Sequence, residues 1–242
     1  MRSIGLKKGQ GMRRITGPAV RMNALAITAA AVLVGGCSNN ADDGDSRGQD
    51  TGALAGKVCD GTLDTAASAA LRRLAGSDRF DELTGTNEAG EPNSFSLARA
   101  VKHLHDEYTK RSACRLYKSG DNSGQSLLEV RFSASSNHPS VSTEASSSDR
   151  VSYPLGVYAL AGSNGADLFF RCPTKATTDN ASVGDTNYVK AEMSAIAVTM
   201  RGNSVNKDRM VVLNSMARAI AEAAGCASTA ALPTRVPTAN GN

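Results

Sequence analysis

The densest group of side chains able to do chemistry is HLHDEY at residues 103–108: His103, His105, Asp106 and Glu107 within five positions. On a helix His103 and Glu107 stand one turn apart, close enough to share a metal ion. His105 then projects about 200° around the axis from His103, so three ligands on one face are not available locally. The stretch reads as a solvated face beside the apolar Leu104. His138 sits in a serine-rich run with no recognisable partner. There is no G-x-S-x-G elbow, H-E-x-x-H pair or phosphate-binding G-x-x-x-x-G-K loop. The adjacent carboxylates Asp81 and Glu82 have no assignable acid and base roles without geometry. The sequence therefore assigns no catalytic residue, no metal ligand and no cofactor.

Cysteine is the next reactive type. Cys59, Cys114, Cys172 and Cys226 follow an isolated Cys37. No two of the four lie at C-x-x-C spacing, which argues against zinc. An even number in an exported chain points to disulfides, with three connectivities open. The intervals 59–114 and 172–226 span 55 and 54 residues. Each contains a related helical motif, SLARAV at 96–101 and SMARAI at 215–220. This favours Cys59–Cys114 with Cys172–Cys226, each closing one half of the domain. Each closure would stabilise by about 4 kcal/mol in the chain-entropy account.

Cys37 has a different setting. Residues 1–36 carry Arg2, Lys7, Lys8, Arg13, Arg14 and Arg21 and no acid. Ala24 to Val34 then has Thr28 as its one polar side chain, and Gly35-Gly36 precede the cysteine. A basic region, a short apolar run and small residues form an export signal. Eleven helical residues rise about 16 Å, too short for a hydrocarbon core of about 30 Å. LVGGC at 33–37 resembles the lipobox of bacterial lipoproteins, with Val34 where that family most often has leucine. The resemblance implies a diacylglycerol on the Cys37 thiol, cleavage before it, and Cys37 as the new N-terminus. It implies a membrane-anchored protein on the extracytoplasmic face, its first partner being membrane lipid. The boundaries expected are a signal peptide at 1–36, a lipidated cysteine and flexible tether at 37–56, a folded domain at 57–228, and a disordered tail at 229–242.

The whole chain has 27 Lys+Arg against 23 Asp+Glu, a net of +4. Removing the six basic residues of the signal leaves 21 against 23, a net of −2. The basic excess belongs to the signal, so a nucleic-acid partner is not expected.

The elements that must position these groups are readable from periodicity. TLDTAASAALRRLAG reads as a helix capped by Thr62 or Asp64 and stopped by Gly76. Residues 96–111 read as a second helix with Leu97, Val101, Leu104 and Tyr108 along one stripe. CRLYK and SLLEVRFSA read as strands, the second with Leu128, Val130 and Phe132 on one face and Glu129 and Arg131 on the other. LGVYALAG and ADLFFRC form a hairpin with Asn164-Gly165 supplying positive φ at the turn. Residues 188–197 read as a strand, with a helix as the alternative because Ala, Met and Glu favour one there. A last helix starts at a capping Asp208, buries Met210, Leu213, Ala217, Ile220 and Ala224, and ends at Gly225. The result is an α+β domain: a mostly antiparallel sheet, about three helices packed on one face, and two disulfides. GVYALAGSNGADLFFRCP, with VCDGTL upstream, is also similar to secreted proteins and lipoproteins of actinomycetes, a resemblance that implies no activity. The functional expectation is a binding or interaction module at the cell envelope, meeting a protein or envelope ligand. The alternatives are an envelope hydrolase or metal-dependent enzyme with dispersed residues, and a structural or assembly accessory protein.

Overall fold

In a computed structural model the chain is described over residues 52–140, 150–177, 181–195, 200 and 205–240. Cys37 and the signal segment lie outside the described residues.

Alternation of apolar and polar residues makes most of the strands. β1 is Ala53–Leu54, β2 Arg79–Glu82, β3 Cys114–Lys118 and β4 Leu128–Ser135. β5 is Val151–Ser152, β6 Tyr158–Gly162, β7 Gly165–Thr174 and β8 Thr186–Ala195. They form one sheet of eight strands in the order β1-β2-β3-β4-β8-β7-β6-β5, antiparallel at each pairing described. β4 buries every second residue from Leu128 to Ala134, as its pattern demands.

Among the described residues four α-helices accompany the sheet: α1 Thr65–Ala75, α2 Leu97–Lys102, α3 Val205–Ala223 and α4 Ala227–Ala230. α3 lies against β6, β7 and β8, α2 against β4, and α1 packs on α3. The core fills the layer between them, with Leu71, Leu74, Met210, Leu213 and Ile220 meeting Phe132, Val130, Leu168, Phe170 and Val189. α1 begins where Asp64 Oδ1 accepts the Ala67 N–H at 2.9 Å, and ends at Gly76 in the left-handed region.

The disulfides are Cys59–Cys114 and Cys172–Cys226, with Cα separations of 5.4 and 5.3 Å. Each stays within its own half of the sheet. The halves are nonetheless one structure, since β4 pairs with β8 along eight registered positions and the core is one cluster. SLARAV occupies a helix of six residues and SMARAI the middle of one of nineteen, so their likeness does not extend to equivalent elements.

Several expectations are corrected. The second helix stops at Lys102 rather than running to Arg111, because the Leu104 carbonyl leaves the helical ladder to accept the Ala134 N–H at 2.8 Å. Tyr108–Lys110 then forms a separate 3-10 turn. The hairpin turn falls at Ser163-Asn164, between the paired Gly162 and Gly165. Gly165 is needed for another reason: with φ at 156°, a Cβ there would run into the Met193 carbonyl oxygen. Asp208 lies inside the first turn of α3 rather than at its cap. Chain placed in the tether, residues 52–56, is folded, since β1 pairs with β2 and Ala55 is buried. The segment placed in the tail is held to Asn240. Leu232, Val236 and Ala239 pack on the core, Asn214 Nδ2 donates to the Pro233 carbonyl at 2.8 Å, and the Asn240 N–H donates to the Ser152 carbonyl at 2.9 Å.

Candidate functional site

The histidines of HLHDEY lie in the turn that follows α2. They do not form a solvated face: His103 and His105 are both buried. His103 Nδ1 lies 2.6 Å from Asp106 Oδ2, and its Nε2 is enclosed with no hydrogen-bond partner among the described residues. His105 Nδ1 lies 3.0 Å from the carbonyls of both Val183 and Gly184 and must carry the proton to satisfy them. Its Nε2 sits 3.0 Å from Thr174 Oγ1, and its own carbonyl accepts from Ser182 and Val183. His105 is therefore a staple between the α2 exit and the 182–184 loop. Glu107, the candidate second metal contact for His103, is exposed and pairs with Lys110 at 3.1 Å. His138 packs its ring edge-on against Tyr188, centroids 4.8 Å apart. Among the described residues no three His, Cys, Asp or Glu side chains are grouped as metal ligands.

The site that does emerge lies elsewhere, in a cleft of about 360 Å³. One wall is the 83–93 loop, the other the 108–113 segment, and Arg115 and Arg131 reach in from β3 and β4. Asn87 shapes the first wall, its Oδ1 accepting the N–H groups of Ala89 at 3.0 Å and Glu91 at 2.9 Å. Its Nδ2 crosses to the second wall and donates to the Thr109 carbonyl at 3.0 Å. Arg99 ties the loop from α2, donating to the carbonyls of Pro92 and Ser94. Behind it, Glu82 accepts the N–H of Cys59 at 2.7 Å and of Phe95 at 3.1 Å, fixing the loop to the first disulfide.

The lining holds five cations, Arg99, Lys110, Arg111, Arg115 and Arg131, against two acids, Glu88 and Glu91. Internal pairing absorbs part of this. Glu91 faces Arg99 at 3.8 Å, and Lys110 has Glu107. Glu129 serves both Arg115 and Arg131, one carboxylate for two guanidiniums. Burial pushes the Glu129 carboxyl up, but the two arginines outweigh it and hold it below the usual carboxylate range.

Arg131 is the most constrained of these groups. Its guanidinium lies over the Tyr108 ring with Cζ 3.9 Å from the centroid, and its NH1 donates to the Tyr108 carbonyl at 3.4 Å. Tyr108 is 56% exposed, an aromatic ring held in solvent at the cleft mouth. Arg111 is the opposite case. Its Nε donates to the Asp106 carbonyl at 2.9 Å, and its terminal amines have no hydrogen-bond partner among the described residues. Burial lowers its pKa and the charge of Arg131 lowers it further, with Asp106, Glu192 and Tyr108 opposing. A half-buried guanidinium beside a second one is an electrostatic arrangement that an anion would relieve.

A second hollow of about 460 Å³ lies at the β6–β7 hairpin, lined by Arg150, Tyr158, Asp167 and Glu192 among others. Its acids are already met by Lys190, 3.0 Å from Asp167 and 3.2 Å from Glu192.

Period-two spacing puts Glu129 and Arg131 on one strand face without assigning them a role. Arg111 and Tyr108 fall in a stretch whose spacing predicts a helix, and the loop that faces them lies about twenty residues upstream. The pairing of Glu129 and Arg131 two apart on a polar face was the one readable signal. Compared with protein-family models, curated proteins and solved structures, the chain matches none.

Proposed function

We propose that this chain is a lipid-anchored binding module of the extracytoplasmic face, held by acylated Cys37 and taking its ligand in the cleft beside Tyr108. The anchoring half rests on LVGGC after a basic, then apolar, segment. Two acyl chains on one cysteine give a stable membrane anchor where one is marginal. Among the described residues no helix is long and apolar enough to cross a membrane.

The binding half is carried by one observation: Arg111, whose terminal amines have no hydrogen-bond partner among the described residues, lines a walled cleft. A rigid scaffold suits such a role. Both disulfides are buried, Asn87 ties the two cleft walls together, and Arg99 holds the first wall to α2.

The hydrolase alternative has one specific feature, the His103–Asp106 pair, which is the orienting half of a catalytic dyad. A general base built on this pair would work through Nε2, which must reach a substrate or water, and Nε2 is enclosed. The binding reading is therefore preferred.

The test of anchoring is fractionation of cells expressing the chain and its Cys37→Ser variant. The native protein is expected in the membrane fraction. The variant is expected either released or retained as uncut precursor. A variant that is processed and still membrane-bound would defeat the anchoring.

A further inference from the structure

We propose that the cleft takes a carboxylate or phosphate group at the end of an otherwise uncharged or cationic ligand, received by the terminal amines of Arg111. This rests on the reading of the cleft as the binding site. Guanidinium is the side chain suited to the task, because its planar fork matches two oxygens of one oxyanion. Arg111 is anchored through Nε alone, which leaves both terminal amines to donate. The neighbouring Arg131 is immobilised by the Tyr108 ring, by Glu129 and by the Tyr108 carbonyl. Its charge thus adds to the field at Arg111 without reorganising when a ligand arrives.

Size and lining charge narrow the class. A hollow of about 360 Å³ is at the small end of the range for small-molecule sites, so it holds a compact molecule or a chain terminus. Glu88 and Glu91 line the cleft too, Glu88 exposed and with no counter-ion among the described residues, Glu91 facing Arg99. A ligand carrying anions along its length meets these acids as it leaves the cleft. A single oxyanion with a neutral or cationic remainder does not.

The experiment uses the full chain in detergent, at constant ionic strength set with chloride. It is titrated with inorganic phosphate, with N-acetylglycine and with the amide of N-acetylglycine. Binding is read by calorimetry and by the Nε–H resonance of Arg111. At least one oxyanion is expected to bind and to move that resonance, while the amide does neither. Phosphate binding alone assigns a phosphate terminus, N-acetylglycine binding alone a carboxylate, and binding of both the shared chemistry. Arg111→Met is expected to lose about tenfold or more in affinity, the scale of a charge-assisted hydrogen bond. Arg111→Lys should fall between, and Arg235→Met, which alters an exposed arginine on the C-terminal segment, should bind as the native chain does. The proposal is overturned if the native chain binds neither oxyanion, if the amide binds equally, or if folded Arg111→Met retains native affinity. Should Arg111→Met not fold, the native-chain titrations and the Arg111 resonance decide alone. Failure here with Cys37-dependent membrane retention intact removes the oxyanion assignment and leaves the anchored module standing.

Discussion

Arg73 on α1 grips Asp208 on α3 with two hydrogen bonds, Nε to Oδ2 at 3.0 Å and NH2 to Oδ1 at 2.6 Å. The pair is asymmetric: the Asp208 side chain is 4% exposed and the Arg73 side chain 56%. It clamps the two helices to each other, as does Ser215, whose hydroxyl accepts the Asp64 N–H at 2.9 Å and donates to the Thr62 carbonyl at 3.0 Å.

That asymmetry sets the order of two substitutions. Without Asp208, Arg73 can turn into water. Without Arg73, the Asp208 carboxylate stays buried beside the core. Arg73→Met is therefore expected to destabilise by about 1–3 kcal/mol, the penalty of a buried polar group left unmet. Asp208→Asn, which keeps one acceptor and removes the charge, should cost less. Urea unfolding with disulfides intact checks this. Equal losses from the two variants would mean that Asp208 finds solvent when Arg73 is gone.

Arg209, the next residue along α3, faces the other way and is 1% exposed. Its NH1 donates to the Gly162 carbonyl and its NH2 to the Ser163 carbonyl at 2.8 Å, so a buried guanidinium holds the β6–β7 turn. Burial lowers its pKa, the mark of a desolvated charge. Arg209→Met is expected to remove both charge-assisted bonds to the turn and to cost about 2–4 kcal/mol. Amide exchange should accelerate first at Gly165 and its neighbours. Exchange that rises uniformly across the sheet instead would make Arg209 a core packing residue rather than a turn clamp.

What was legible in the sequence divides along this same line. Period-two runs such as LEVRFSA and ADLFFRC announced their strands, and the spacing of four cysteines favoured the observed bridges. β2 was missed because RFDE offers one apolar residue, Phe80, and four residues cannot show a period. The spacing of residues 103–111 predicts a helix because periodicity does not register a tertiary competitor, here the β4 edge taking the Leu104 carbonyl. The terminal segment was read as frayed because Leu232, Val236 and Ala239 are too sparse to form a pattern, although the surface they cover is specific. The cleft was illegible for a stronger reason: its walls come from separate loops joined through Asn87 and Thr109, a contact that no local spacing encodes.

The two disulfides carry the next prediction. Cys59, Cys114 and Cys172 are 0% exposed and Cys226 is 5% exposed, so a thiolate cannot reach either bridge in the native fold. The folded protein is expected to keep both bridges in millimolar dithiothreitol and to lose them when urea is added. Cys172→Ala with Cys226→Ala should destabilise by about 4 kcal/mol in the chain-entropy account, for the loop it opens. Mass spectrometry of alkylated thiols with time reads the first outcome, and urea unfolding the second. Alkylation of native protein at the unfolded-state rate would show that a bridge is reached by local opening.

Glu129 predicts a pH dependence. Burial raises its pKa, Arg131 and Arg115 lower it more, and the net folded value is depressed. A depressed carboxylate contributes stability that is fully present above its unfolded pKa of about 4.3, and the contribution is lost as pH falls through the folded value. Stability should therefore decline on acidification below about pH 5, with part of the slope belonging to this residue. Glu129→Gln is expected to flatten that limb and to lower stability near neutrality, where Arg115 and Arg131 would then face each other without their shared counter-charge. It should also sharpen the demand for an anion in the cleft. Phosphate would stabilise the variant more than the native chain, by mass action on a tighter site. Urea midpoints measured from pH 3 to pH 7, with and without phosphate, read both effects. An unchanged acid limb in the variant would assign the slope to other carboxylates, and an unchanged phosphate response would separate Glu129 from the cleft.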